Sequence, residues 1–489
     1  MTRRDGDLRF VLPHVVETAV VIGRYREARV AALARGLDDA EVRVRGPGGA
    51  PTAGLPDVVV AMGADAAEAL ETPGRAHLLL GRVPRAMRSS IRGSLPLLVR
   101  TAVTAPELVL PLSPAEPLVH HLRRLSAPRS RLRRGRNLGA AALGRLPFVA
   151  PGLAPPHSLV TLVPTPGSAH GPPAILQAAA SLGMRPGNAW LLSLGRGDEL
   201  QRAVFHVLDG AEPAWVVKFS RVPGYHSAFV RDATGLALAR DAGGLVAAHA
   251  PRHLGRLEVG GLTASVETAA RGGQLLPLLR TLPMALLDAI AGWVAGVGQE
   301  TAHPASALDG ELVRLRHLVA AEGSRLSLPP DLLDRLPPVP AVLQHNDLGS
   351  WNIVSDGRTF TVVDWESARR SGLPLWDLFY FAADVLPRLE GPADVDTLVR
   401  RTLQVFAGQS THSARLHGWL RDAADRVGVP VNALGALATL CWLHHGQSAA
   451  GRASDLHGAA PAPLGHLARL APAWLAHPGL GVAWHSMPG

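Results

Sequence analysis

The sequence predicts an α/β domain at the N-terminus followed by a larger α+β part, and three observations carry that expectation. Short apolar strand and helix patterns alternate over the first eighty or so residues. The only lysine, Lys218, lies inside an apolar strand pattern. The segment His345–Trp365, reading HNDLGSWNIVSDGRTFTVVDW, sets two aspartates and an asparagine around a hairpin pattern.

In chain order, Val15–Gly23, Glu41–Arg45, Asp57–Met62 and His77–Leu80 read as strands, with helices at Glu27–Gly36 and Ala64–Leu70. Such alternation indicates a parallel sheet, and the expected layout over residues 1–149 is Rossmann-like, loosely similar to class I methyltransferases. Ile22-Gly23 runs into Arg24-Tyr25-Arg26 instead of a glycine-rich dinucleotide fingerprint. The domain is therefore expected to be a docking or otherwise non-catalytic module. His120–Arg136 holds seven arginines; such a run can attract an anionic membrane surface or a protein partner, although in an arginine-biased chain its ordinary fate is a solvated face. Residues 150–172, rich in Pro, Gly and Ser, read as a linker.

Whole-chain properties exclude more than they assign. A formal charge of +9 over 489 residues is modest and comes with no base-reading motif, so nucleic acid is not an expected partner. A single cysteine, Cys441, permits no intramolecular disulfide and suits a reducing cytoplasm. The opening MTRRDGDLRF lacks an apolar signal-peptide core, which points the same way. Leu282–Val297 is strongly apolar but short for a membrane span and carries Asp288, so a buried helix is expected.

Lysine usage singles out Lys218. Against 48 arginines the chain keeps one lysine, in Trp215-Val216-Val217-Lys218-Phe219. Where Arg replaces Lys wherever it will serve, the surviving ammonium marks a site needing a compact point charge instead of a planar guanidinium.

In His345–Trp365, Asp347 precedes Asn352 by five residues and Asp364 by seventeen. The Asp356-Gly357 dipeptide favours a tight turn, so Asn352-Ile353-Val354 and Thr359–Val363 should pair and return Asp364 to Asn352. That places an amide and a carboxylate within reach of one hydrated Mg²⁺, whose ligands are oxygens, and leaves Asp347 to take a proton or orient a hydroxyl.

This pattern resembles the catalytic and metal-binding segments of the aminoglycoside phosphotransferase and choline kinase family, relatives of the protein kinases. The matching residues are His345, Asp347 and Asn352 of H-x-D-x-x-x-x-N, then Asp364-Trp365, with Gly372–Leu378 resembling the segment that follows. The resemblance implies a bilobal protein-kinase-like domain, with residues 173–268 as N-lobe and 269–489 as C-lobe. It implies ATP and Mg²⁺ as cofactors, Asp347 as catalytic base, Asn352 and Asp364 as metal ligands, and His345 and Asp377 as structural supports of the loop. It implies that Lys218 meets the ATP phosphates and that Gly195 and Gly197, within Ser193–Asp198, belong to a nucleotide-covering hairpin. Asp232, on an expected helix at His226–Asp241, takes the place of the usual helix glutamate that pairs with the lysine. Val266-Glu267-Thr268 is the expected hinge, which puts Glu267 at the adenine edge.

The expected function is ATP- and Mg²⁺-dependent phosphorylation of a small-molecule hydroxyl. Residues 380–489 hold seven Asp plus Glu against eight Arg, which tilts the expectation away from a polycationic aminoglycoside and toward a sugar, an amino alcohol or another metabolite. The alternatives are a pseudokinase-like nucleotide-binding scaffold without phosphoryl transfer, and a metal-dependent hydrolase using His345, Asp347 and Asp364 as ligands. The latter leaves Lys218 unexplained.

Overall fold

The structure is a computed structural model, and it describes residues 7–22, 41–45, 56–62, 66–80, 83–87, 93–100, 106–125, 157–164, 171–185, 187–194, 202–210, 212–221, 223–326, 328–329, 331–457, 465–482 and 484. The chain divides into two compact units, one of residues 1–229 and 253–269, the other of residues 230–252 and 270–489.

The first unit is built on one mixed sheet. Its strands are β1 (Thr18–Ile22), β2 (Glu41–Arg45), β3 (Val58–Met62), β4 (Ala76–Leu80), β5 (Leu95–Arg100), β6 (Leu108–Pro111), β7 (His157–Pro164), β8 (Trp190–Ser193), β9 (Ala203–Asp209), β10 (Glu212–Phe219), β11 (His253–Val259) and β12 (Leu262–Thr268). They lie in the order β2-β1-β3-β4-β7-β5-β6-β8-β9-β10-β12-β11. Near-continuous apolar runs suit strands covered on both faces, and β1, β3 and β4 show it: Ala19, Val21, Val58, Val60 and Leu78 pack into one core while Val20, Ile22, Val59, Ala61 and Leu79 pack into another.

Three expectations are corrected here. The parallel pattern covers only β2-β1-β3-β4; from the β4–β7 pair onward neighbouring strands are antiparallel, so the sheet is mixed and not the parallel sheet expected. The stretch read as a linker contains β7, inserted between β4 and β5; its His-Ser-Leu-Val-Thr-Leu-Val-Pro is a strand pattern that flanking Pro and Gly obscured. Residues 1–149 are also not a separate body, because β6 pairs with β8 through Leu108↔Ser193 and Val109↔Leu192. The expected helix Glu27–Gly36 and most of the basic run beyond Leu125 lie outside the described residues, while His120 and His121 at the start of that run are buried.

The second unit is mainly helical around a single large core. The apolar stretch expected as a buried helix is Met284–Glu300, with Leu286, Leu287, Ile290 and Trp293 inside. The helix Trp376–Leu389 is the most enclosed, buried from Leu378 through Pro387, and Phe406, Trp442 and Trp474 meet edge to face nearby. Two small sheets hang on this core, β13 (Gly273–Gln274), β15 (Ile353–Ser355) and β16 (Phe360–Val362) in one and β14 (Val342–Gln344) with β17 (Arg369–Gly372) in the other. No single helix among the described residues is long and apolar enough to cross a membrane.

Candidate active site

The hairpin forms with the expected register. Ile353 pairs with Val362 and Ser355 with Phe360, and Val363 N–H donates to Asn352 O at 2.8 Å, carrying the ladder to the edge of Asp364. Four residues, Asp356–Thr359, separate the strands. Asp356 Oδ1 accepts from the backbone N–H groups of Arg358 and Thr359 at 2.8 Å each, and Gly357 takes φ +93°. The Thr359 and Arg358 donors hold the Asp356 carboxyl below its ordinary range, which confines this aspartate to the turn.

Around Asp347 the loop folds back on itself. Asn352 Nδ2 donates to Asp347 O at 2.9 Å and to Asp347 Oδ2 at 3.0 Å. With its nitrogen turned to the carboxylate, Asn352 keeps Oδ1, the atom a hard cation takes, as its other polar end. Asp364 sits at φ 66°, a left-handed conformation costly for any residue with a Cβ and concentrated at functional sites. Among the described residues no group of three or more His, Cys, Asp or Glu could hold a metal. A carboxylate plus an amide oxygen, completed by non-protein oxygens, is the donor set that suits Mg²⁺.

His345 takes a supporting place. Its Nε2 donates to Val363 O at 3.0 Å, tying the loop to the strand that ends in Asp364, and its ring meets Trp365 edge-on at 4.8 Å. Asp377 grips the loop from the helix Trp376–Leu389, accepting from His345 N at 2.7 Å and Asn346 N at 2.8 Å. Burial raises its carboxyl to about 6; the two backbone donors lower it and the charge of Asp347 raises it.

A second brace was not foreseen. Asp384, wholly buried on the same helix, accepts from Ser350 N at 2.8 Å and from Ser350 Oγ, and pairs with Arg388 at 2.9 Å. The signal was present: residues seven apart share a helix face, so Asp377 and Asp384 are two carboxylates on one stripe of a largely apolar helix.

Lys218 is 8% exposed, and its Nζ lies 3.1 Å from Glu267 Oε1. The register explains the contact. Lys218 faces Ser265 and Val216 faces Glu267, so Lys218 and Glu267 are diagonal neighbours on one face of the sheet, within reach of long side chains. Glu267 lies in β12 with its backbone flanked by Val216 and His253, and its carboxylate meets the lysine.

Asp232 is fully buried on the helix Ser227–Ala242. Three residues on, Gly235 meets the Trp365 backbone so closely that a Cβ there would lie 1.9 Å from Trp365 O. The face carrying Asp232 and Gly235 therefore packs against the residue that follows Asp364. Gly195 and Gly197 lie outside the described residues.

Residues 195–419 match the model of the Phosphotransferase enzyme family. The matched segment contains Lys218, Asp347, Asn352, Asp364 and Asp377. No curated protein matches the chain. Among solved structures, the aminoglycoside-3'-phosphotransferase of type VIII is 19% identical over 50% of this chain and 98% of its own, at a TM-score of 0.28. The aminoglycoside phosphotransferase APH(3'')-Id from Streptomyces rimosus, in complex with ADP and streptomycin, is 17% identical over 50% of this chain and 92% of its own, at 0.29. The bifunctional kinase-methyltransferase WbdD is 13% identical over 85% of each chain, at 0.25.

Proposed function

We propose that the phosphotransferase domain transfers the γ-phosphoryl group of ATP, with Mg²⁺, to a hydroxyl of a small molecule. The observation that carries this reading is the Asp347–Asn352 contact: one side chain fixes the carboxylate that would serve as base and keeps an amide oxygen for a cation. Asp347 aligns the acceptor hydroxyl and takes its proton as the oxygen bonds to phosphorus and the bond to ADP breaks. Lys218, oriented by Glu267, neutralises phosphate charge. Asn352 and Asp364 are the residues that would hold Mg²⁺, which when bound offsets the charge of the phosphate oxygens. His345, Asp377 and Asp384 keep the loop in place, so that catalysis rests on positioning and electrostatics more than on covalent chemistry.

The near balance of seven acidic against eight arginine residues over 380–489 supports a neutral or anionic acceptor, such as a sugar or an amino alcohol. An ADP-release screen over pooled hydroxyl metabolites tests the whole reading. It predicts Mg²⁺-dependent ADP release with at least one pool, lost in Asp364→Ala. Tight Mg²⁺-ATP binding with no release from any pool would instead identify a nucleotide-binding scaffold.

A further inference from the structure

The residue between His345 and Asp347 is held by a polar chain that the proposed reaction does not use directly. Asn346 takes φ 62°, the left-handed region that Asn tolerates better than most residues. Its backbone N–H donates to Asp377, and its side-chain Nδ2 is placed 3.2 Å from His444 Nε2. The other ring nitrogen, His444 Nδ1, is 3.3 Å from Arg314 Nη1. Arg314 is itself fixed by Glu311, through Nε to Oε2 at 2.9 Å and Nη2 to Oε1 at 2.6 Å, and Arg369 grips the same Glu311 at 2.6 Å. Trp376 stacks on the imidazole at 5.4 Å.

Donor and acceptor rules settle the state of this histidine. A guanidinium has only donors, so Nδ1 must present its lone pair to Arg314. A neutral imidazole then carries its hydrogen on Nε2 and donates it, and the amide atom that receives it is Asn346 Oδ1. An imidazolium would set N–H against N–H at Arg314. This order of donors turns the Asn346 amide so that Oδ1, in place of Nδ2, faces Nε2.

We propose that His444 is a positioning residue for Asp347: neutral and protonated on Nε2, it clamps Asn346 from the side-chain end while Asp377 clamps its backbone, and so sets the backbone from which the base projects. The role in turnover rests on the proposed phosphotransfer; the tautomer does not. ¹⁵N spectra of the imidazoles in the full chain, with His444 identified by its loss in His444→Gln, are expected to show a protonated Nε2 and a bare Nδ1 near pH 6.5. A protonated Nδ1 would overturn the proposal.

Turnover is read as ADP release from Mg²⁺-ATP with water as acceptor. His444→Ala is expected to slow it by about 10- to 100-fold with KM for ATP unchanged, the scale of a base displaced by about an ångström. Gln can both donate to Asn346 and accept from Arg314, so His444→Gln is expected to recover most of that loss. A kcat unaffected by His444→Ala, or Gln as slow as Ala, contradicts the positioning role. If Asp347→Asn retains ADP release while the spectra are as expected, the base assignment has failed and the tautomer stands.

Discussion

At Lys218 charge and stability are coupled. Its ammonium and the Glu267 carboxylate are both nearly enclosed, at 11% and 3% side-chain exposure, and breaking a buried ion pair from one side is strongly destabilising. Lys218→Met is therefore expected to lower unfolding stability by about 3–5 kcal/mol and to weaken Mg²⁺-ATP binding. Lys218→Met with Glu267→Gln should recover part of the stability and none of the binding; denaturant unfolding beside calorimetric titration distinguishes the two effects. Asp377 gives a pH dependence. Burial raises its carboxyl from 3.8 to about 6 in the folded chain, so the folded state holds a proton that the unfolded state has released between those values. Its contribution is present in full below about 4 and is lost as the pH rises through about 6. Asp377→Asn should flatten that part of the Tm profile, at the cost of one acceptor for the loop N–H groups; an unchanged slope would show that Asp377 does not titrate there.

At the scale of elements, the packing of the helix Ser227–Ala242 against Trp365 depends on Gly235. A methyl group placed 1.9 Å from Trp365 O forces the backbone apart, and overpacking of this kind costs about 1–3 kcal/mol. Gly235→Ala should lower Tm and, because Trp365 follows Asp364, weaken Mg²⁺-dependent nucleotide affinity; wild-type affinity in a destabilised variant would separate the helix from the metal ligand. The hairpin around Asp356-Gly357 was legible because period-two apolar residues and a turn dipeptide act locally. So was the Asp377 brace, through the likeness of Gly372–Leu378 to a known segment. Glu267 as the partner of Lys218 was not, since a diagonal cross-strand contact depends on a register that no single strand encodes. Asp384 was overlooked for a different reason: its acceptor role appears only once the loop lies against that helix.

For the whole molecule, the sequence conveyed element types better than their assembly. Four strands of the first eighty residues emerged close to their expected places, yet the pairing of β6 with β8 joins them to the strands around Lys218 in one sheet. Long-range pairing of this sort leaves little trace in composition, and the Pro and Gly flanking β7 read as a boundary. A chain beginning at residue 173 would leave β8 with an open, apolar edge and uncover part of the core shared by Val109, Val160 and Leu192. Such a truncation is expected to aggregate on expression; a soluble monomer with the full-length Tm would show that the domains fold independently. The central claim is that Asp347 receives the proton of an acceptor hydroxyl. Its most direct test is ADP release with the best acceptor pool, wild type against Asp347→Asn, alongside Mg²⁺-ATP affinity. The account predicts a fall of about 10²- to 10⁴-fold in turnover, the range for a general base, with affinity retained; equal turnover in the two proteins would contradict it.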